Sequence, residues 1–171
     1  MSPRPYTVSF VCTGNICRSP IGEVVLRDLI AEADLPADVE VVSAGTGDWH
    51  VGGPADPRAV ATLSELGHDG SAHRAQQFVR ESFAEADLVL ALDRSHERAL
   101  RAMAPTAQDA EKVRLLRAFD AEAVAAGELE VDDPYFGDDA GFRRTYEEVL
   151  PACRGVVEHL RNVLTEDAAR R

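Results

Sequence analysis

Short segments rich in apolar and β-branched residues alternate along this chain with segments whose apolar residues recur at helical spacing. The first kind lies at residues 7–11, 39–42, 88–92 and 113–116, and such runs are typical of strands buried on both faces of a sheet. Helical spacing follows each of the first three, at residues 21–29, 59–66 and 95–103. The longest amphipathic pattern runs from residue 142 to residue 164 and predicts a final helix.

This alternation predicts an α/β fold: a single three-layer domain with a four-stranded parallel sheet and helices on both faces. We expect one domain over residues 1–171, with residues 1–5 and 165–171 frayed. Residues 45–56 and 127–139 are predicted loops, and Pro151 is expected to kink or split the last helix. In such sheets ligands bind beyond the carboxyl ends of the strands, where the strand order reverses.

Composition narrows the classes of function. The 171 residues are 45% hydrophobic, which suits one globular core, and 30 acidic against 18 basic residues give a net charge of -12. So acidic a chain is a poor general binder of nucleic acid, and any affinity for an anion must come from a local site. Three cysteines without framework spacing suit the reducing cytoplasm. We find no secretory h-region and no apolar stretch of spanning length, so we expect a cytoplasmic protein without membrane contact, although leaderless export stays open.

The segment directly after the first predicted strand carries the strongest chemical signal. It reads Cys12-Thr13-Gly14-Asn15-Ile16-Cys17-Arg18-Ser19 and leads straight into a helical pattern. A loop between a strand and a helix start can turn its backbone N–H groups around an oxyanion, and the helix adds partial positive charge. Arg18 can bind two oxygens of one phosphoryl group, and the same field favours the thiolate of Cys12. The sequence therefore predicts a phosphate-binding loop with a nucleophile at its base; a Walker loop would need a Gly-Lys-Ser/Thr ending that is absent.

Attack of a thiol on phosphorus requires a proton for the leaving oxygen, which a carboxylic acid can supply. The best candidate is the acidic loop Asp132-Asp133, followed by Pro134, Tyr135 and Phe136. Two adjacent carboxylates repel each other, which favours a protonated form, and the two rings could flank an aromatic substrate. Without the cysteine loop, the same segment would be an ordinary acidic turn.

The two motifs together, C-T-G-N-I-C-R-S-P near the start and D-P-Y near the end, resemble those of the low-molecular-weight protein tyrosine phosphatases, over nearly the whole chain. The resemblance implies a phosphoric monoester hydrolase that acts on tyrosine-phosphorylated proteins through a cysteinyl-phosphate intermediate. Cys12 would attack while Asp133 protonates the leaving phenol and then activates water, and Arg18 and the loop amides would stabilise the equatorial oxygens. It implies no metal or organic cofactor, no nucleic-acid partner, and a monomer or weak dimer.

The same resemblance implies roles for further positions. Asn15 matches a residue that holds the loop in its strained shape, and Ser19 matches the hydroxyl that stabilises the thiolate. Ser43 and His73 complete that hydrogen-bond network, although the family more often has Arg where Gln76 stands, and a surface histidine is the alternative for His73. The predicted phosphate loop also includes Thr13, Gly14, Ile16 and Cys17, and the predicted pocket walls are Ile16, Trp49, Tyr135 and Phe136.

Several other residues leave alternatives open. Asp93 follows the third strand and is expected to cap the next helix, although it also matches the family's D-x-S pattern. We expect His50, His68, His96 and His159 on the surface and Cys153 in the core. Cys17 is similar to a family cysteine that forms a disulfide with the nucleophile, which would protect Cys12 from irreversible oxidation; the alternative is a small loop-packing residue.

Three other functions compete with this prediction. Thiol-dependent arsenate reduction occurs on a similar fold, but it needs further cysteines near the site, and only Cys153 is left. Protein-arginine phosphatases resemble this loop but carry Thr at the position of Ile16, whose apolar wall suits a flat aryl ring better. A non-catalytic phosphotyrosine-binding module would have no need for the nucleophile, the arginine and the candidate acid together.

Overall fold

The computed structural model describes residues 4–171, and four parallel strands form the centre of this part of the chain. The strands are β1 (Tyr6–Cys12), β2 (Val39–Gly45), β3 (Leu88–Ala91) and β4 (Val113–Leu115), and they lie in the order β2-β1-β3-β4. Because β1 lies between β2 and β3, the strand order reverses at β1, and the predicted α/β fold with a four-stranded parallel sheet is confirmed.

Within residues 4–171, six α-helices connect and cover the strands. They are α1 (Arg18–Glu32), α2 (Pro57–Glu65), α3 (Arg94–Met103), α4 (Ala107–Glu111), α5 (Ala121–Ala126) and α6 (Asp139–Ala169). Two of the side-chain caps lie close to the loop after β1: Asp56 accepts a hydrogen bond from the Arg58 N–H at the start of α2, and Asp93 accepts one from the His96 N–H at the start of α3.

The core is divided by the sheet into two layers. On one face Val8 and Phe10 pack with α1, α2 and α6, and on the other face Val11 packs with α3 and the segment that precedes β3. Gly22 brings α1 against β1, since a Cβ at that position would lie 2.4 Å from the ring of Phe10. This close approach fixes the start of α1, and with it the loop that follows β1.

The structure differs from the expected elements in two places. The short helices α4 and α5 were not predicted, although Thr106 and Asp120 cap them. Pro151 lies inside α6, which runs unbroken from Asp139 to Ala169, so it does not split the helix. Of the ends expected to be frayed, residues 165–169 belong to α6, Arg4 pairs with Asp87 at 2.7 Å, and residues 1–3 lie outside the described part of the chain. No helix within residues 4–171 is long and apolar enough to cross a membrane.

Candidate active site

The loop between β1 and α1 wraps around the thiol of Cys12. This thiol is buried, and its Sγ lies 2.9 Å from the hydroxyl oxygen of Ser19, on the first turn of α1. The first N–H groups of α1 have no side-chain cap, so they stay available for an anion. Among residues 4–171, Asn15 is the one non-glycine residue with a positive φ, 57°, a conformation that asparagine tolerates better than most side chains.

Asn15 is held in this conformation from several sides. Its amide nitrogen donates to the hydroxyls of Ser19 (2.8 Å) and Ser43 (2.9 Å), and its side-chain oxygen accepts from the Gln76 N–H (2.9 Å). The Nε2 atom of His73 lies 2.7 Å from the Asn15 carbonyl oxygen, and His73 is buried. The structure thus brings together Asn15, Ser19, Ser43 and His73, the four residues for which the family resemblance implied this network.

The carbonyl groups of the loop point outward. Those of Cys12 and Thr13 accept hydrogen bonds from the two residues that follow β2, at 2.8 and 3.0 Å, and that of Ile16 accepts from the Asp56 N–H at 2.8 Å. Because the C=O and N–H of a trans peptide point in opposite directions, the N–H groups of the following residues face the interior of the loop. Gly45 is required beside it, since a Cβ there would lie 2.7 Å from the Thr13 carbonyl oxygen. The result is a concave row of donors suited to phosphate oxygens.

Arg18 completes the positive side of this loop. Its side chain is buried, and one terminal nitrogen donates to Asp93 (2.9 Å) and to the Val131 carbonyl (2.8 Å). The other terminal nitrogen lies 3.7 Å from a carboxylate oxygen of Asp133. The guanidinium is therefore fixed along one edge while its other edge faces the candidate acid, whose side chain is 46% exposed.

Asp93 both caps α3, as expected, and holds Arg18. Burial alone would raise the pKa of Asp93, but hydrogen bonds from the Ser95 hydroxyl, the His96 N–H and the Arg18 guanidinium lower that pKa to about 2. The Asp93 carboxylate is thus ionised near pH 7 and can pair with the Arg18 guanidinium. The sequence indicated the cap but not the contact with Arg18.

His96 is not on the surface, and that prediction is wrong. It is 3% exposed, and its Nε2 lies 2.8 Å from the Thr13 hydroxyl, while its Nδ1 lies 3.2 Å from Asp93 without hydrogen-bond geometry. Burial is the main reason that the pKa of His96 is lowered to about 4; the charge of Arg18 acts in the same direction, and the carboxylates of Asp93, Asp133 and Glu130 oppose it. The ring is therefore neutral near pH 7 and supports the side chain of the first loop residue after Cys12.

The remaining histidines differ from one another. His68 was also expected on the surface, but its side chain is only 13% exposed, because it lies between α1 and α6 with Asp28 at 2.6 Å and the Tyr146 hydroxyl at 2.9 Å. His159 is half-buried, which lowers its pKa. His50 is exposed, as expected, and lies at the mouth of the pocket.

A cavity of about 340 Å³ opens above the loop. Two of its walls are aromatic: Trp49 is 71% exposed and Phe136 92% exposed, and the rings of Tyr135 and Phe136 meet edge to face at 4.9 Å. Polar donors at the base and flat apolar walls above suit a phosphoryl group carried by an aryl ring. All the residues predicted for the pocket line it, and the full lining is Cys12, Thr13, Gly14, Ile16, Cys17, Arg18, Trp49, His50, Asp133, Tyr135 and Phe136.

The three cysteines are free and buried. Burial raises the pKa of Cys17 to about 12, with the nearby charge of Asp56 acting in the same direction, so this residue is a neutral thiol on the same loop as Cys12. Cys153 is completely buried on α6, as expected. Its thiol donates a weak hydrogen bond to the Gly22 carbonyl oxygen at 3.9 Å.

Comparison with known proteins identifies relatives of this chain independently of the geometry of the site. The model of the family "Low molecular weight phosphotyrosine protein phosphatase" matches residues 7–166. A low molecular weight protein-tyrosine-phosphatase of Streptomyces coelicolor is 51% identical over 96% of this chain and 99% of its own length. Low molecular weight protein-tyrosine phosphatase A of Mycobacterium tuberculosis is 43% identical over 89% of this chain and 90% of its own. A crystal structure of a protein tyrosine phosphatase from Entamoeba histolytica superimposes with a TM-score of 0.84 at 30% identity, over 91% of this chain and 96% of that one.

Proposed function

Because the chain belongs to the low molecular weight phosphotyrosine protein phosphatase family, we propose that Cys12, Arg18 and Asp133 carry out its hydrolysis of phosphotyrosine. The enzyme is a phosphoric monoester hydrolase, and its substrates are phosphoproteins. The observation that carries the assignment of roles is the convergence of the three side chains on one pocket: a thiol at its base, a fixed guanidinium beside it and an exposed carboxyl group at its mouth.

In the first step the Cys12 sulfur attacks phosphorus, and a bond forms between them. The bond from phosphorus to the phenolic oxygen breaks, and this oxygen keeps the electron pair and takes a proton from Asp133. Arg18 and the inward-facing N–H groups bind the three equatorial oxygens, over which negative charge is spread in the transition state. The Ser19 hydroxyl, 2.9 Å from the sulfur, can donate to the thiolate before attack and after release.

In the second step the Asp133 carboxylate takes a proton from water, and the water oxygen attacks phosphorus. The S–P bond breaks, the thiolate of Cys12 is restored and inorganic phosphate leaves. One carboxyl group thus serves as acid and then as base, which its position at the pocket mouth allows.

The competing functions are not favoured. Arsenate reduction needs a cysteine that passes a disulfide outward, and Cys153 is completely buried. The apolar wall formed by Ile16 with the aromatic rings supports an aryl phosphate over a phosphoguanidinium. A binding module without turnover would not require the approach of Asp133 to Arg18. We propose tyrosine-phosphorylated proteins as substrates and, from the free cysteines, a cytoplasmic location.

The pH dependence of kcat/KM for an aryl phosphate tests the role of Asp133. We expect a bell-shaped profile for the wild type, whose alkaline limb disappears in Asp133→Asn while the rate falls by about 10²–10⁴-fold. Asp132→Asn is the matched control, because Asp132 is also exposed but does not line the pocket. A normal profile in Asp133→Asn, or the same loss in Asp132→Asn, would assign the acid to another group.

A further inference from the structure

Arg58, the second residue of α2, reaches across the pocket edge to the loop that carries Asp133. One terminal nitrogen donates to the Gly137 carbonyl oxygen (3.0 Å), and the other donates to the Tyr135 carbonyl oxygen (2.9 Å). The guanidinium also lies over the ring of Phe142, with 4.5 Å between its central carbon and the ring centroid. One side chain therefore binds both ends of the segment that follows the candidate acid.

Asp56 holds this guanidinium from the other side. Its two carboxylate oxygens accept hydrogen bonds from the Nε (3.1 Å) and a terminal nitrogen (2.9 Å) of Arg58, and these bonds lower the pKa of Asp56. The backbone N–H of Asp56 donates to the Ile16 carbonyl at 2.8 Å, which is part of the phosphate loop. A short chain of hydrogen bonds thus connects the phosphate loop, through Asp56 and Arg58, to the loop that follows Asp133.

The acid loop itself has little else of this kind. In the described part of the chain, the other hydrogen bonds of residues 133–137 are local: the Asp133 carboxylate accepts from the Tyr135 N–H (3.1 Å), and the Pro134 carbonyl accepts from the Gly137 N–H (2.9 Å). Pro134 is buried, but the residues on both sides of it are exposed. Local bonds shape the turn, whereas the two bonds from Arg58 attach it to the body of the protein.

We propose that Arg58 is a positioning residue for proton transfer: it fixes the acid loop relative to the phosphate loop so that the Asp133 carboxyl group meets the leaving oxygen. The proposal rests on the proposed role of Asp133. A planar guanidinium can serve both carboxylate oxygens and two carbonyls at once, whereas an ammonium group on a flexible stem cannot hold the same geometry. Small displacements of a catalytic group are costly, on the order of 10²-fold for about 1 Å.

The test is the dependence of kcat/KM on the acidity of the leaving phenol. A leaving group such as 4-nitrophenol needs little protonation, whereas phenol needs a proton in the transition state. In Arg58→Ala we expect kcat/KM to fall by about 10–100-fold for phenyl phosphate but by less than about fivefold for 4-nitrophenyl phosphate. Arg143→Ala is the control, because Arg143 lines the same surface groove as Arg58, is 54% exposed and has only long ion pairs, with Glu65 at 3.8 Å and Glu147 at 4.0 Å. The Arg143→Ala variant should keep the wild-type kcat/KM for both substrates.

A double-mutant comparison separates this proposal from the role of Asp133. If Arg58 acts through the acid, Arg58→Ala should cost little more for phenyl phosphate once Asp133→Asn is present. Equal losses for both substrates, or full additivity with Asp133→Asn, would overturn the positioning role while the acid stands. A variant Asp133→Asn with unchanged dependence on the leaving group would instead overturn the acid. Arg58→Lys, which keeps the charge and the stem, should show the same selective loss and serves if Arg58→Ala does not fold.

Discussion

The buried, neutral His96 should make the folded protein sensitive to mild acid. The ring is 3% exposed and lies 2.8 Å from the Thr13 hydroxyl, and burial lowers its pKa to about 4. In the unfolded chain the same ring is hydrated and its pKa returns to about 6.5. Between these two values the unfolded chain binds a proton that the folded protein does not.

Because the unfolded state binds more protons in this window, the free energy of unfolding falls as the pH falls from about 6.5 to about 4. A pKa difference of about 2.5, at about 1.36 kcal/mol per pKa unit, corresponds to about 3 kcal/mol below the window. At pH 5 this proton binding lowers the free energy of unfolding by about 2 kcal/mol, and above about pH 7.5 it leaves that free energy almost unchanged. The pKa of Asp93, about 2, places that carboxylate's contribution at lower pH.

Urea unfolding of the wild type and of His96→Gln at pH 7.5 and pH 5 isolates this contribution. Glutamine removes the titration but can keep an amide group near Thr13, and every other titrating group, including His159, is common to both proteins. We expect the wild type to lose about 2 kcal/mol more than the variant between the two pH values. The same loss in both proteins would show that His96 does not titrate as its buried position requires.

Three further results follow from the site and from α6. Arg18→Lys should lower kcat/KM for an aryl phosphate by about 10²–10³-fold, because an ammonium group cannot bind two phosphoryl oxygens in one plane. A loss of less than about fivefold in steady-state kinetics would contradict this reason. After peroxide treatment, the wild type should regain activity with a thiol reductant, whereas Cys17→Ala should not, because its Cys12 then oxidises irreversibly. Equal recovery of both proteins would refute the protection of Cys12 by Cys17. Pro151→Ala should raise the free energy of unfolding, measured by urea denaturation, by about 1–3 kcal/mol, because it restores a donor to the Glu147 carbonyl inside α6. Unchanged stability would contradict that reason.

The parts of the site that are contiguous in sequence were predictable. The segment from Cys12 to Ser19 lies between a strand and a helix, so its local pattern already defines a loop at the carboxyl edge of the sheet. Asp133 was expected near this loop because the cysteine chemistry requires an acid and the D-P-Y segment resembles that of the family, and its carboxylate lies 3.7 Å from Arg18. The fold followed from the alternation of strand and helix patterns, which depends on burial and not on distant contacts.

Two supporting residues, His96 and Arg58, were missed because nothing in their own sequence context points to their distant partners. His96 contacts a loop 83 residues earlier, and Arg58 contacts carbonyls 77 and 79 residues later. One signal was present: His96 lies four residues before the buried Leu100, so the two share the inner face of α3. For Arg58 nothing in the sequence distinguishes it from an exposed helix residue, because its partners are backbone carbonyls that only the tertiary fold brings within reach.

The most direct test of the account is hydrolysis of 4-nitrophenyl phosphate by reduced protein in excess chelator, with Cys12→Ser measured in parallel. We expect turnover by the wild type, with a covalent phosphoenzyme that rapid denaturation traps, and neither turnover nor phosphoenzyme in Cys12→Ser. Turnover that persists in Cys12→Ser, or a reduced wild type that binds phosphate but turns nothing over, would contradict the central claim that Cys12 is the nucleophile of a metal-independent phosphatase.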